Sequence, residues 1–373
     1  MGTAYTPGLK VSSKTTIRKM RRLPLKGEVC VKVGDHVLPD TVVARTELPG
    51  VMQTVRVAEY LGIEPSEIER VLKVAIGDEV EPGTVLAESR SFFGLFRNEC
   101  KSPIAGTVEM ISPISGHVGI RYKPTLVEVK AYIEGDIVEV LPEEGVVVET
   151  TGALIQGIFG VGGERLGEIK VIVAQPGEIV DEDAITGDLA GKVIVAGANI
   201  TGTAIRKAAG IGVAGIVVGG IIDKDLVDYL GYDIGVAITG HEEIPTTLIA
   251  TEGFGVMRMA HRTFELLKSL EGRQASINGA TQIRAGVIRP EIIVPIKNIV
   301  VASVDSSGEQ TLELGTRIRI IREPYFGMLG EVVALPPEPV LIESGAKVRT
   351  LKAKLENGED VTVPRANVEI IQE

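Results

Sequence analysis

Two copies of one short motif constrain the fold of this chain more than any other feature of its sequence. Residues 34–44 read GDHVLPDTVVA and residues 77–87 read GDEVEPGTVLA, so both follow the pattern G-D-x-V-x-P-x-T-V-x-A. Gly-Asp is a tight-turn dipeptide, a second turn follows at the proline, and the apolar residues between the turns alternate as in a half-buried strand. A unit this small cannot bury its apolar face alone, so we expect the two copies to pack over each other.

The sequence after the second copy extends this pattern. The run VAIGDEVEPGTVLAES is followed, after a short insert, by SPIAGTVEMISPISGHVGI. Together they resemble the lipoyl/biotinyl family of barrel-sandwich hybrids, in which a GDxVxxGxxL half-motif, a hairpin with a modified lysine and an APxxGxV half-motif follow one another. Residues 102–108 (SPIAGTV) match the second half-motif, and the first copy also resembles the hybrid motifs of redox-complex and RNA-polymerase subunits. The resemblance implies a barrel-sandwich hybrid over residues 26–150.

The hairpin that would carry the cofactor departs from that family. It reads RSFFGLFRNECK, so Leu95 or a neighbour stands where the family has its lysine. A carrier lysine must offer an exposed amine, and we therefore expect no covalent biotin or lipoate and no other cofactor. The tip instead carries large apolar side chains, which either form a docking patch for protein partners or pack under a neighbouring domain; they are Phe92, Phe93, Leu95 and Phe96.

Charge limits the partners of the chain. The formal net charge of −11 disfavours a broad nucleic-acid or anionic-membrane surface, and an aromatic content of 4% without Trp disfavours a stacking platform for single strands. Residues 1–25 are the exception, and we interpret them as a basic, flexible, solvated segment or as a contact with an acidic partner. The basic residues before the first acid, Glu28, are Lys10, Lys14, Arg18, Lys19, Arg21, Arg22 and Lys26.

A change of periodicity marks a different domain over residues 151–295. Apolar runs at 192–197, 215–220 and 244–251 alternate with predicted helices, one capped by Thr201, one capped by Asp223 and one over 255–270. This alternation predicts a small α/β domain with a mostly parallel sheet, which weakly resembles the swivelling β/β/α domains. Within it, residues 281–295 are expected to form an extended segment that returns to an earlier module.

A glycine cluster opens this domain. Residues 157–163 read GIFGVGG, and such a loop can wrap a phosphate with its N–H groups. The Gly-Lys-Ser or Gly-Lys-Thr of a P-loop is absent, since Glu164 and Arg165 follow instead. We therefore favour a flexible joint or a crowded turn.

Small and polar residues cluster at three predicted strand-to-helix turns of the α/β domain. In a parallel sheet these turns share the edge where ligands bind, and helix N-termini there favour anions. The site would bind a small anionic ligand, with His241 and Glu252 available for proton transfer; the alternative is that the same residues only cap helices and permit close packing. The candidate binding residues are Asn199, Thr201, Gly202, Thr203, Gly219, Gly220, Thr251, Glu252 and Gly253.

Residues 296–373 resemble a KOW-type SH3-like barrel of the kind found in elongation factors and ribosomal proteins. The resemblance rests on the G-x-R-I-R-I strand, on PYFG followed by GEV, and on the terminal VPRANVEII strand. That family binds RNA or protein, and residues 311–373 hold eight Lys or Arg against ten Asp or Glu, a net charge of −2. An acidic barrel favours protein contact, with Tyr325 and Phe326 as candidate anchors or as core residues.

These features predict a multi-domain, β-rich α+β protein. The sequence shows no catalytic constellation and no metal-ligand spacing, so we expect neither catalytic residues nor a metal. Two cysteines, no signal peptide and no apolar stretch long enough to span a bilayer favour the cytoplasm. The favoured hypothesis is a non-catalytic assembly or adaptor protein that docks protein partners. The alternatives are a transcription- or ribosome-associated nucleic-acid-binding factor and an enzyme or sensor for a small anionic ligand.

Overall fold

The computed structural model describes residues 9–91, 96–232, 242, 244–281, 288–296, 312–320, 325, 328–341 and 347–370. The chain is β-rich, with its strands distributed over several sheets. This confirms the β-rich part of the predicted fold class. Among the described residues, eleven strands join one large sheet, which runs from the N-terminal strand to the α/β region.

The elements of residues 9–156 are almost all strands. They are β1 (Val11–Arg22), β2 (Glu28–Val29), β3 (His36–Val37), β4 (Val42–Leu48), β5 (Met52–Val55), α1 (Val57–Leu61), the 3₁₀ turn Pro65–Glu67, α2 (Ile68–Val71), β6 (Glu79–Val80), β7 (Val85–Ser91), β8 (Phe96–Lys101), β9 (Gly106–Ser112), β10 (His117–Arg121), β11 (Thr125–Lys130), β12 (Gly135–Leu141) and β13 (Gly145–Gln156).

The expected flexible tail over residues 1–25 is wrong for Val11–Arg22. These residues form β1, which pairs antiparallel with β13 from Val11↔Ile155 to Arg22↔Gly145. Alternate residues of β1 face inward, and Ile17 is buried in a core with Val146 and Val148. Charge density alone suggested solvation, but alternating inward residues such as Ile17 and Lys19 permit a strand with one covered face.

Each motif copy makes the same turn against a different covering strand. Gly34 and Gly77 both adopt positive φ, at 91° and 99°. In the first copy, the Ile137 N–H donates to the Asp35 carbonyl at 2.9 Å, and in the second the Val108 N–H donates to the Asp78 carbonyl at 2.9 Å. The Asp35 and Asp78 side chains also accept equivalent N–H bonds, each at 2.8 Å.

The hairpins that follow the two turns match residue for residue. β4 pairs with β11 from Leu48↔Thr125, and β7 pairs with β8 from Ser91↔Phe96. Both ladders carry their irregularity at the same place, just before Lys130 in the first and just before Lys101 in the second. The ladders β12–β13 and β9–β10 also share one irregularity, and β1 and β5 occupy the same edge of the two copies.

The second copy is therefore a module inserted into the hairpin tip of the first. We call residues 9–48 with 125–149 the outer module and residues 49–124 the inserted module. The two copies do not cover each other, which corrects that expectation: β3 lies in the large sheet and β6 in the sheet β5-β10-β9-β6. Each copy is covered instead by its own later strands, and the inserted module has a separate core that includes Val80, Leu86 and Val108.

The α/β region alternates strands and helices. Its elements are β14 (Phe159–Val161), β15 (Glu164–Val171), β16 (Ile179–Val180), the 3₁₀ turns Glu182–Ala184 and Gly187–Leu189, β17 (Val193–Val195), β18 (Asn199–Ile200), α3 (Gly202–Ile211), β19 (Gly215–Ile221), α4 (Asp223–Leu230), β20 (Thr247–Phe254), α5 (His261–Ser269), β21 (Gln274–Asn278) and β22 (Glu291–Pro295).

The strands β15, β17, β19 and β20 are parallel, as the alternation predicted. Thr201 is the N-cap of α3, and its hydroxyl accepts the Ala204 N–H; a cap of this kind contributes about 1 kcal/mol. Asp223 is not a cap, because α4 begins at that residue after Ile222. The helix expected over 255–270 begins only at His261, since Gly255 has a φ of +90° and the residues before His261 lie along the sheet edge.

The long strand β13 joins the outer module to the α/β region. One of its edges pairs with β1, and the other pairs first with β12 and then with β22. β22 belongs to the segment 281–295 that was expected to return, and it does pair with the earlier strand β13; residues 282–287 lie outside the described residues.

The C-terminal region forms an antiparallel sheet in the order β28-β27-β24-β23-β29 around its own core. Its strands are β23 (Arg317–Ile320), β24 (Leu329–Ala334), β25 (Val340–Leu341), β26 (Lys347–Val348), β27 (Thr350–Leu355), β28 (Asp360–Pro364) and, after the 3₁₀ turn Arg365–Asn367, β29 (Val368–Ile370). We call this region the C-terminal sheet module.

The nesting predicts that the inserted module can be removed without unfolding the rest. Replacing residues 49–124 with an Asn-Gly turn closes β4 onto β11 as a two-residue hairpin. We expect the remaining chain to keep a strand-type far-UV circular dichroism spectrum. Its melting temperature should stay within a few degrees of that of the full chain. Loss of the cooperative transition would contradict the nested arrangement.

Candidate functional site

The structure brings most of the candidate binding residues together at the carboxyl edge of the parallel sheet. Gly220 of β19 pairs with Gly253 of β20. The Asn199 side-chain amide donates to the Gly220 carbonyl at 3.1 Å, and the Gly219 N–H donates to Gly197 of the neighbouring turn at 2.7 Å. The predicted convergence of the turns is therefore present.

The edge is filled by the chain itself. The segment Gly255–Ala260, which we call the strap, lies across it, and a Cβ at Gly219 would clash with the Met257 carbonyl. The Met259 N–H donates to Pro176 at 3.1 Å and so fixes the strap from the other side. The glycines of this edge allow close backbone packing, as the alternative interpretation proposed.

The N-terminus of α3 is surrounded by carboxylates. The Thr201 hydroxyl donates to Asp181 at 3.0 Å and lies 3.1 Å from the Thr203 hydroxyl, and a Cβ at Gly202 would lie 2.7 Å from the Asp225 carboxylate. Acidic side chains stabilise this end of a helix, but they repel an anionic ligand. The arrangement opposes the predicted anion site at this helix.

Glu252 is held in an ion pair. Its Oε1 accepts the Ala260 N–H of the strap at 3.0 Å, and its Oε2 accepts from Arg319 of the C-terminal sheet module at 3.0 Å. Thr251 is buried, and its hydroxyl donates to the Val218 carbonyl at 3.2 Å. His241, the other predicted proton-transfer residue, lies outside the described residues.

Arg319 also belongs to a buried network of charged side chains that the sequence did not reveal. Its Nη1 donates to Glu369 at 2.9 Å, and Arg289 donates to the other oxygen of Glu369 at 2.8 Å. The side chains of Arg319 and Glu369 are only 3% and 2% exposed. Removing one member of such a buried pair costs about 3–5 kcal/mol, because the other charge stays buried alone.

The glycine cluster at 157–163 is a crowded turn rather than an open phosphate loop. The Gly160 N–H donates to the Thr281 hydroxyl at 2.8 Å, and the Gly162 N–H points at Glu242 at 3.4 Å. A Cβ at Gly160 would lie 2.8 Å from the Gly279 carbonyl. These N–H groups are therefore engaged within the chain, and a carboxylate stands where a phosphate would bind.

Most of the basic N-terminal residues find an acidic partner inside the chain. Charged pairs with β13, with the turn before it and with the α/β region use five of the seven: Arg18–Glu149, Lys19–Glu291, Arg21–Glu164, Arg22–Glu144 and Lys26–Glu143. These positions are therefore paired within the chain, and a contact with an acidic partner stays a prediction.

Arg21 and Tyr132 form a polar cluster between the outer module and the α/β region. Both Nη atoms of Arg21 bind Glu164, at 2.6 and 2.7 Å, and its guanidinium lies 5.4 Å from the Tyr132 ring centroid. Tyr132 has a φ of +69°, which is rare for an aromatic residue, and its buried hydroxyl faces the Glu291 carboxylate without a well-aligned hydrogen bond. Burial raises the pKa of its phenol well above the ordinary value, and Glu291 and Glu164 raise that pKa further.

The inserted module supplies an internal comparison for this cluster. By strand register, Val55 takes the place of Arg21, and Pro103 takes the place of Tyr132. The shared module fold therefore does not require Arg21 or Tyr132. Their partner Glu164 comes from β15, so we interpret the cluster as the joint that fastens the outer module to the α/β region.

The predicted docking residues are only partly described. Phe92, Phe93, Leu95 and Phe326 lie outside the described residues; Phe96 begins β8 opposite Ser91. Tyr325 is partly buried and packs against the core of the C-terminal sheet module.

Over the described ranges, no helix is both long and apolar enough to cross a membrane, and no three His, Cys, Asp or Glu side chains converge as metal ligands.

Tyr132, which is buried, and Tyr229, which is partly buried, allow a matched test of the cluster. Tyr132→Phe removes a hydroxyl that faces the Glu291 carboxylate without a well-aligned hydrogen bond, and we expect the free energy of unfolding to change by less than about 1 kcal/mol. Tyr229→Phe removes a hydroxyl that donates to the Thr246 carbonyl at 2.8 Å, and we expect a loss of about 1 kcal/mol. Urea unfolding of both variants measures the difference; a loss for Tyr132→Phe as large as that for Tyr229→Phe would show that the phenol donates to Glu291.

Comparison with known proteins supplies no further guide to this site. No protein-family model matches the chain, and a search of the curated proteins finds no match.

Proposed function

We propose that this protein is a non-catalytic cytoplasmic assembly or adaptor protein that docks protein partners through its small β modules. The observation that carries the proposal is the filled edge of the parallel sheet. The strap packs onto Gly219, and Glu252 is engaged by Arg319, so the described part of this edge is occupied by the chain itself. The proposal includes the absence of covalent biotin and lipoate.

The inserted module is the docking element in this proposal. It has its own core and joins the outer module through two adjacent segments, where the Tyr122 N–H donates to Val51 at 3.0 Å. Its hairpin β7–β8 is equivalent to the hairpin β4–β11 of the outer module, between whose strands the whole inserted module lies. The sequence of its tip, Phe92, Phe93, Gly94 and Leu95, suits an apolar contact with a protein partner.

Charge supports a protein partner over a nucleic acid. Binding to phosphates draws its affinity from free Lys and Arg, and five of the basic N-terminal residues are paired within the chain. The C-terminal module resembles KOW barrels, a family that binds RNA or protein. Its residues 311–373 carry a net charge of −2, which also favours a protein partner.

The proposal is tested by cross-linking capture from native lysate with the full chain and with the variant that has Asn-Gly in place of residues 49–124. We expect protein partners that survive RNase treatment and that are absent with the shortened variant, because the docking element is missing. Partners that disappear after RNase would favour the nucleic-acid alternative. Capture that is equal with both proteins would place docking outside the inserted module.

Ligand screening tests the enzyme or sensor alternative. A ligand at one hundred times its Kd stabilises a protein by about 2.7 kcal/mol, which a thermal-shift assay detects. We expect no such shift with nucleotides or phosphorylated metabolites. A shift that Thr201→Ala abolishes, and that the exposed control Thr186→Ala retains, would overturn the non-catalytic proposal in favour of a ligand site at α3.

A further inference from the structure

The strap is connected to the C-terminal sheet module through one carboxylate. Glu252 lies near the end of β20, two residues before the strand stops, and each of its oxygens has a different partner. Oε1 accepts the Ala260 N–H at 3.0 Å, and Oε2 accepts from Arg319 at 3.0 Å. The Glu252 side chain is 13% exposed and that of Arg319 is 3% exposed, so water competes little for either bond.

The far end of this connection is anchored in the C-terminal sheet module. Arg319 lies on β23, and Glu369 lies on the neighbouring strand β29, opposite Arg319 in the ladder. Glu369 also binds Arg289, which precedes β22 of the large sheet. The module is thus fastened to the large sheet at two points, Glu252 and Arg289, by charges that are at most 13% exposed.

We propose that the C-terminal sheet module is a latch that holds the strap closed over the carboxyl edge of the parallel sheet. When the module undocks, Glu252 loses Arg319 and its charge is drawn toward water, so its bond to Ala260 weakens. The strap then loosens over Gly219 and Gly220, and the edge becomes accessible. This conformational device does not depend on whether the protein docks partners.

A latch of this kind makes the coupling reciprocal. If undocking of the module loosens the strap, then loosening the strap must also loosen the module by the same free energy. A purely local role for Arg319 or for Ala260 predicts an effect on one side only. Reciprocity is therefore the property that distinguishes the latch from ordinary packing.

The experiment is hydrogen–deuterium exchange of the full chain, read on peptides from the strap and from β23 and β29. Arg319→Met removes the ion pair at similar side-chain volume, and we expect amides of the strap to exchange at least tenfold faster. Arg317→Met is the matched control, because Arg317 lies on the same strand but is 47% exposed and binds Glu356. The control should leave strap exchange unchanged.

The second variant changes the strap side of the latch. Ala260→Pro removes the N–H that Glu252 accepts, and Ala260 has a φ of −54°, which proline can adopt. We expect amides of β23 and β29 to exchange at least threefold faster, while the exposed Val256→Ala in the same strap leaves them unchanged. Ala260→Pro decides the matter alone if Arg319→Met does not fold. Acceleration confined to the mutated side in either variant would overturn the latch.

Discussion

The architecture depends on the strand β13, because it is shared by two modules. Its first half completes the outer module between β1 and β12, and its second half carries β22 of the α/β region. Gly152 marks the point where the partner changes from β12 to β22, since a Cβ there would clash with the Val294 carbonyl. A side chain at this position would separate the two strands and with them the two modules. The continuous ladder makes the outer module and the α/β region one mechanical unit, whereas the inserted module has a separate core and is joined to the outer module by two linking segments.

The sequence revealed the repeat but not its nesting. Gly34 and Gly77 both take the positive φ that the Gly-Asp dipeptide predicts, and the strand alternation around them is present. Which segment covers each turn could not be deduced, because Ile137 and Val108 lie in equally apolar, equally alternating runs. Mutual packing was the simplest solution for two exposed faces. The chain instead supplies each copy with its own covering strand, and this requires the second copy to fit between β4 and β11.

The candidate site shows the same division between local and distant information. The parallel strands and the Thr201 cap followed from local patterns, and so did the gathering of small residues at one edge. The occupation of this edge by the strap did not follow from the sequence, because the strap was interpreted as the first turns of a helix. Arg319 was equally hidden, since the strand RIRI places Arg317 and Arg319 in the same alternating pattern. Only the position of Glu252 and Glu369 makes one arginine buried and leaves the other exposed.

Charged pairs lie at the joints between modules, whereas the interior of each module is apolar. Arg21–Glu164 and Lys19–Glu291 join the outer module to the α/β region, and Arg319–Glu252 joins the C-terminal sheet module to it. A buried ion pair adds little net stability over an apolar contact, but it tolerates few relative orientations. Separating the C-terminal sheet module at its joint returns the charges to water and leaves its own apolar core intact. The charged joint therefore fixes this module in one arrangement and still lets it undock without unfolding, whereas the outer module is also held to the α/β region by the β13–β22 ladder and a shared apolar core.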